Sequence, residues 1–262
     1  KPYFLYLPYT APHYPLHALP EDIARFEGRY DEGWDVLREK RYRRQLETGL
    51  LDREIHPLAG PNPNYFPWDS VQEDMRDWEL LRMEVYAAMV YRMDLEIGRV
   101  LDLLDELGVA ENTIVMFLSD NGSCAETPGG RDPEQIPGPE EYYTHCGPNW
   151  AYAQNTPFRR YKATTWEGGV ATPFVVRWPS KIEAGARSDQ VGHIIDLMPT
   201  FLEAAGGEYP DERKGVPVIP AEGISLLPNW TDPGQQVERS EPLYWFWARH
   251  RGLRSDDWKL VW

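Results

Sequence analysis

The stretch DMRDWELLRMEVYAAMVYRMDLEIGRVLDLLDEL, residues 74–107, leaves little choice of conformation. Apolar residues recur at three- and four-residue spacing: Leu81, Val85, Ala88, Met89, Met93, Ile97, Val100, Leu101 and Leu104. On a helix these form one stripe that must be buried against another element. Gly108 follows as the expected C-cap, because glycine enters the left-handed conformation without a Cβ penalty. The next residues, AENTIVMFLSDNG, give a turn and a short continuous apolar run, the pattern of a buried strand. Helix, short turn and buried strand make the half-unit of a parallel α/β sheet. Ligands of such sheets sit just past the carboxyl ends of the strands, where Asp120 and Asn121 fall.

The rest of the chain is read around that unit. PYFLYLP, residues 2–8, has the composition of a buried strand, and the prolines of TAPHYPLHALP place His13 on a loop just beyond it. Residues 21–75 are polar, with a basic cluster REKRYRR at 38–44, and read as an irregular surface excursion. Residues 123–150 are a Gly- and Pro-rich loop. RRYKATTWEGGVATPFVVRWP, residues 159–179, passes through a Gly-Gly turn into another apolar strand. Residues 188–207 enter a helix, with Asp196 as the expected N-cap and Pro199 in the first turn. Residues 241–262 read as two aromatic strands around a turn. The expected organisation is an α/β domain over residues 1–235 and the beginning of a small antiparallel subdomain over 236–262.

Charge and composition remove several functions. A formal charge of −15 argues against a nucleic-acid partner, because phosphate affinity comes from clustered Lys and Arg. No run of about 18 apolar residues is present, so no membrane span is expected. Two cysteines, Cys124 and Cys146, make neither a disulfide framework nor a zinc quartet, and the pattern leaves pairing open. The chain opens without Met, directly on an apolar run, which suggests a fragment lacking its N-terminal part. The zinc-protease, serine-hydrolase and P-loop signatures are absent.

Three places could carry chemistry. Asp120 and Asn121 offer two oxygens to a hard cation, yet D-N-G is equally good turn chemistry. His13 suits proton donation or anion binding, or simple hydrogen bonding. Lys162 is a compact charge suited to an oxyanion, or a solvated surface lysine. His145 could line a pocket, His193 reads as structural, and His250 is a weaker candidate. Tyr142, Tyr143, Trp150, Tyr152 and Trp166 could stack on a ring; packing the loop against the body is the reading preferred for most of them.

Together these pieces resemble the C-terminal half of a type I sulfatase of the alkaline phosphatase superfamily. The resemblance rests on PYFLYLPYTAPHYPLHA, YAAMVYRMDLEIGRVLDLLDELGVAENTIVMFLSDNG, CGPNWAYAQNTPFRRYKATTWEGGVATPFVVRWP, DLMPTFLEAAG and RGLRSDDWKLVW, in that order. It implies an alkaline-phosphatase-like α/β fold, with a mostly parallel sheet flanked by helices and an antiparallel C-terminal element. It implies Asp120 and Asn121 as Ca²⁺ ligands, with Ca²⁺ preferred over Mg²⁺. It implies Lys162 and His13 as sulfate-binding and catalytic residues, His13 being the candidate general acid. The substrate would be a small-molecule or saccharide sulfate ester. The family's nucleophile is a formylglycine made within C/S-x-P-x-R, a pattern that neither CAETP at Cys124 nor CGPNW at Cys146 fits. That residue is expected in the missing N-terminal part, and the compartment implied is periplasmic or secreted. A phosphodiesterase or phosphonate hydrolase of the superfamily, or a non-catalytic remnant, are the alternatives; Asn121 in place of histidine favours the sulfatase. Oligomeric state is not legible.

Overall fold

The helix expected from the apolar stripe forms over Glu73–Glu106 in the computed structural model, which describes residues 2–61 and 65–262. In chain order the elements are α1 (Pro20–Ile23), α2 (Gly33–Glu47), α3 (Glu73–Glu106), β1 (Val115–Leu118), α4 (Gly147–Gln154), α5 (Glu167–Val170) and β2 (Phe174–Arg177). There follow α6 (Leu197–Ala204), β3 (Glu212–Arg213), β4 (Val216–Pro217), α7 (Leu227–Thr231), β5 (Leu243–Trp247), β6 (His250–Ser255) and β7 (Trp258–Val261). The chain divides into two units: Lys1–Asp102 with Asn121–Thr172, and Leu103–Asp120 with Pro173–Trp262.

α3 begins with Glu73 and Asp74, which complement the helix dipole, and ends on Gly108 in the left-handed conformation (φ 67°). There the Val109 N–H donates to Leu104 O at 3.1 Å and the Gly108 N–H to Asp105 O at 3.0 Å, which satisfies carbonyls the helix would leave bare. In the first unit the buried apolar face of α3 includes Met83, Val85, Ala88 and Met89. Glu79, Arg82 and Glu84 are buried beside them, which no apolar stripe would reveal. Glu79 and Arg82 neutralise each other at 2.8 Å, and Arg131 closes on the other Glu79 oxygen at 2.6 Å. The Arg82 guanidinium also lies 4.4 Å over the Trp78 ring. A buried charge is tolerated only when paired in this way.

Two local expectations are corrected in this unit. Within the supposed excursion, α2 is a 15-residue helix. It is built from Arg, Glu, Lys, Gln and Leu, good helix formers without an apolar stripe, so periodicity does not expose it. Its anchor is Trp34, which meets Trp68, Trp150 and Phe66 edge-on at 4.7, 5.3 and 5.4 Å and donates its indole N–H to Phe66 O at 3.0 Å. Residues 2–8 form no strand, and Tyr3, Phe4, Leu5 and Tyr6 are exposed. Apolar composition states what a segment would bury. A strand also needs a neighbouring strand, and none of the described strands pairs with residues 2–8.

In the second unit, β1 and β2 form where the two apolar runs were read, with Val115 opposite Arg177 and Leu118 opposite Phe174. They pair antiparallel, so the parallel pairing anticipated for this sheet is not what the described strands make. The mixed α/β class and the antiparallel C-terminal element both hold. That element has three strands, in the order β5-β6-β7. Asp196 is the N-cap residue of α6, but its carboxylate serves other segments. It accepts from the N–H groups of His193 (2.7 Å) and Ile224 (3.0 Å) and pairs with Arg239 at 2.5 Å. His193 is structural, as expected: its ring accepts from Ile195 N at 3.3 Å. No helix among the described residues is long and apolar enough to cross a membrane.

Candidate active site

The loop after β1 is held against the 159–169 segment by backbone. Gly122 N–H donates to Gly169 O and Lys162 N–H donates to Ser123 O, each at 3.1 Å. Gly122 is required there, since a Cβ at this position would lie 1.7 Å from Gly168 O. Asn155 fastens the same segments from below. Its Oδ1 accepts from Ser123 N at 3.0 Å, and its Nδ2 donates to Gly168 O at 2.8 Å and Arg160 O at 3.2 Å. Asn155 ends the short helix α4 as its C-cap residue, so packing of that helix aims all three bonds.

This scaffold delivers Lys162 to His13. Their side-chain nitrogens, Nζ and Nε2, lie 2.8 Å apart across 149 positions of chain. The His13 ring contacts Tyr14 O through Nδ1 at 2.9 Å. A carbonyl only accepts, so Nδ1 carries the proton, and Nε2 presents its lone pair to the Lys162 ammonium. His13 is therefore neutral in this arrangement and Lys162 is the proton donor of the pair.

Glu126 completes the cluster. One of its oxygens lies 3.8 Å from Lys162 Nζ and the other accepts from the Tyr14 hydroxyl at 2.6 Å. That bond pushes the Tyr14 phenol up to about 12 and holds the Glu126 carboxyl below the ordinary carboxylate range. Cys124 is half-buried, and burial pushes its thiol up. Tyr14, Glu126 and Asn155 had no sequence signal: each acquires its role only from a neighbour distant in the chain.

Asp120 and Asn121 follow β1 directly, Asp120 exposed and Asn121 half-buried. The division between the units falls between these two residues. A carboxylate and an amide oxygen are the donor type a hard divalent cation takes. His145 lines a cavity of about 230 Å³ with Trp78, Gln135 and Tyr143, yet it is buried and fully engaged. Its Nδ1 lies 2.9 Å from Arg82 Nη2 and its Nε2 lies 2.8 Å from Gly130 O. Trp150 and Tyr152 pack in the interior, whereas Tyr143 is exposed. Both cysteines are free thiols.

The segments that carry His13, Asn121 and Lys162 all lie within residues 1–207, which match the Sulfatase family model. The chain belongs to the sulfatase family. Residues 160–262 also match the model described as N-sulphoglucosamine sulphohydrolase, C-terminal. Over 99% of its length this sulfatase chain is 33% identical to an uncharacterized sulfatase of Schizosaccharomyces pombe. Over 86% it is 31% identical to the arylsulfatase of Klebsiella aerogenes. It covers 49% and 51% of those two proteins, so it spans about half the length of the curated relatives it matches. Among solved structures, Ps i-CgsB in complex with k-i-k-neocarrahexaose superposes with a TM-score of 0.58 at 24% identity. That match covers 96% of this chain and 39% of the other, and likeness at this level speaks to fold.

Proposed function

We propose that the protein hydrolyses sulfate esters and that His13 and Lys162 are the catalytic and substrate-binding residues of this half of the site. The 2.8 Å contact between Lys162 Nζ and His13 Nε2, inside the family-matched region, carries this reading. Lys162 brings a fixed positive charge to the sulfuryl oxygens, where negative charge grows in the transition state. His13, once its Nε2 has taken a proton from solvent, hands that proton to the leaving oxygen, while Lys162 keeps its charge; Tyr14 O keeps the ring oriented through Nδ1. The nucleophile is a formylglycine from a C/S-x-P-x-R segment outside these 262 residues. Neither thiol here replaces it: Cys146 is buried and pushed up to about 12, and Cys124 is also raised by burial. Asp120 and Asn121 contribute two of the oxygens of a Ca²⁺ site, other carboxylates coming from elsewhere, since Ca²⁺ takes about six to eight. Bound there, the ion would supply Lewis-acid stabilisation of developing charge.

A ring-bearing ester, aryl or saccharide, fits the surroundings. Tyr143 meets Tyr14 edge-on at 5.8 Å, and the Tyr14 ring lies 4.3 Å from that of His13, so an aromatic wall stands beside the proton donor. Relatives named arylsulfatase and N-acetylgalactosamine-6-sulfatase agree with that class. The test is kcat/KM of the full-length protein on 4-nitrophenyl sulfate and on the matching phosphate mono- and diesters. Sulfate is expected to be preferred, and Lys162→Ala to lower kcat/KM by about 10²–10³ while leaving the folded state intact. A preference for phosphate diesters would move the protein to the phosphodiesterase branch. Turnover indifferent to Lys162→Ala would remove the residue from the mechanism.

A further inference from the structure

We propose that Cys124, His13 and Glu126 form a thiolate-type site for Zn²⁺, and that the ion competes with Lys162 for it. A ring nitrogen of His13, the Cys124 sulfur and a Glu126 oxygen all lie within 4.8 Å of one another. The three come from two parts of one unit, His13 from its loop and Cys124 and Glu126 from the segment after Gly122, and they offer imidazole, sulfur and carboxylate. That set suits a borderline-soft cation with three protein ligands and a water in the fourth position. A tetrahedral ion with bonds of about 2.0–2.3 Å spaces its ligands about 3.3–3.8 Å apart, so a contraction of about 1 Å assembles it. His13 and Glu126 are exposed, so solvent and ions reach them.

Two further features favour a cation at this spot. The place already holds one: Lys162 Nζ lies 2.8 Å from His13 Nε2 and 3.8 Å from Glu126 Oε1. A divalent ion takes the same lone pairs with twice the charge and adds the sulfur that Lys162 does not use. The outer atoms of the ligands are also oriented as metal ligands commonly are. His13 Nδ1 donates to Tyr14 O at 2.9 Å, and the second Glu126 oxygen accepts from the Tyr14 hydroxyl at 2.6 Å. On binding, the Cys124 S–H bond breaks, its proton passes to solvent and a Zn–S bond forms. Lys162 keeps its charge and turns away from His13. Given the proposed function, occupancy would reversibly disarm both catalytic residues, so Zn²⁺ would act as an inhibitor. Ca²⁺, which prefers an all-oxygen shell, would not compete.

The experiment measures metal binding, not turnover, so it stands or falls separately from the sulfatase reading. Full-length protein freed of metal is titrated with Co²⁺ as a spectroscopic probe, and with Zn²⁺ against a chromogenic chelator. Expected are one bound Co²⁺ with a thiolate charge-transfer band, persistence of Zn²⁺ in saturating Ca²⁺, and several-fold tighter Zn²⁺ binding in Lys162→Ala. Cys124→Ser should abolish the band, and Cys146→Ser should retain it. Glu126→Gln, an exposed substitution with little effect on folding, should weaken Zn²⁺ by about tenfold or more. Absence of the band, full affinity in Glu126→Gln, or release of Zn²⁺ by Ca²⁺ would each overturn the proposal.

Discussion

Replacing Gly122 with alanine should separate the loop after β1 from the segment that presents Lys162. A Cβ built on Gly122 would stand 1.7 Å from Gly168 O and 3.2 Å from Gly169 Cα, both backbone atoms. Real Cβ contacts essentially never fall under 3.0 Å, so the carbonyl must withdraw by about 1.3 Å. The neighbouring bond, Gly122 N–H to Gly169 O, is already 3.1 Å long and would not survive such a shift. Overpacking of this kind costs about 1–3 kcal/mol, and a lost backbone bond about 1 kcal/mol more. Denaturant unfolding of the full-length variant should therefore show a loss of about 2–4 kcal/mol. The Lys162 backbone is anchored to Ser123, the next residue, so kcat/KM for a sulfate ester should fall at least tenfold as the ammonium loses its aim. Gly98→Ala is the control. Gly98 lies within α3 with nothing within 4 Å of its missing Cβ, so alanine there should stabilise by about 0.5–1 kcal/mol and leave kcat/KM unchanged. A Gly122→Ala protein as stable and as active as the parent would show that the two segments do not need this close approach.

Asn155→Ala removes one acceptor and two donated bonds from the same junction and should cost about 2–3 kcal/mol by denaturant unfolding; Asn155→Asp keeps the Ser123 bond but sets a carboxylate oxygen against two carbonyls, so it should cost at least as much at neutral pH. His145 is held neutral, its pKa lowered from 6.5 to about 4 by burial and then by the Arg82 charge. The unfolded chain takes the proton near 6.5 and the folded one only near 4, so stability should fall as pH drops through that window. Urea midpoints at pH 7 and pH 5 should show that slope in the parent and a flatter one in His145→Gln. If Asp120 and Asn121 hold Ca²⁺, a chelator should lower the melting temperature of the full-length protein and added Ca²⁺ restore it, by about 2.7 kcal/mol at a hundredfold excess over Kd. Asp120→Ala should blunt that response, and identical melting with and without chelator would argue that D-N-G is only a turn.

Some of this architecture is local and could be read from the chain alone. The apolar stripe of α3, its Gly108 stop and the runs that become β1 and β2 depend on periodicity and capping, which act within a few residues. His13, Asp120, Asn121 and Lys162 are marked as the residues of interest by their places at strand ends and loops and by the family resemblance of the segments that carry them. What they do for one another is not marked in this way. The 2.8 Å contact of His13 with Lys162 and the tautomer it imposes arise from backbone ties between segments far apart in the chain. The same is true of the cluster with Tyr14, Glu126 and Cys124. Where tertiary packing decided, local signals misled. α2 has no apolar stripe yet is anchored by Trp34 and Tyr42, charged Glu79 and Arg82 are interior because they meet partners, and none of the described strands pairs with the apolar residues 2–8. Sequence specifies what each segment prefers to bury and to bond; only the assembled structure specifies which partner is within reach.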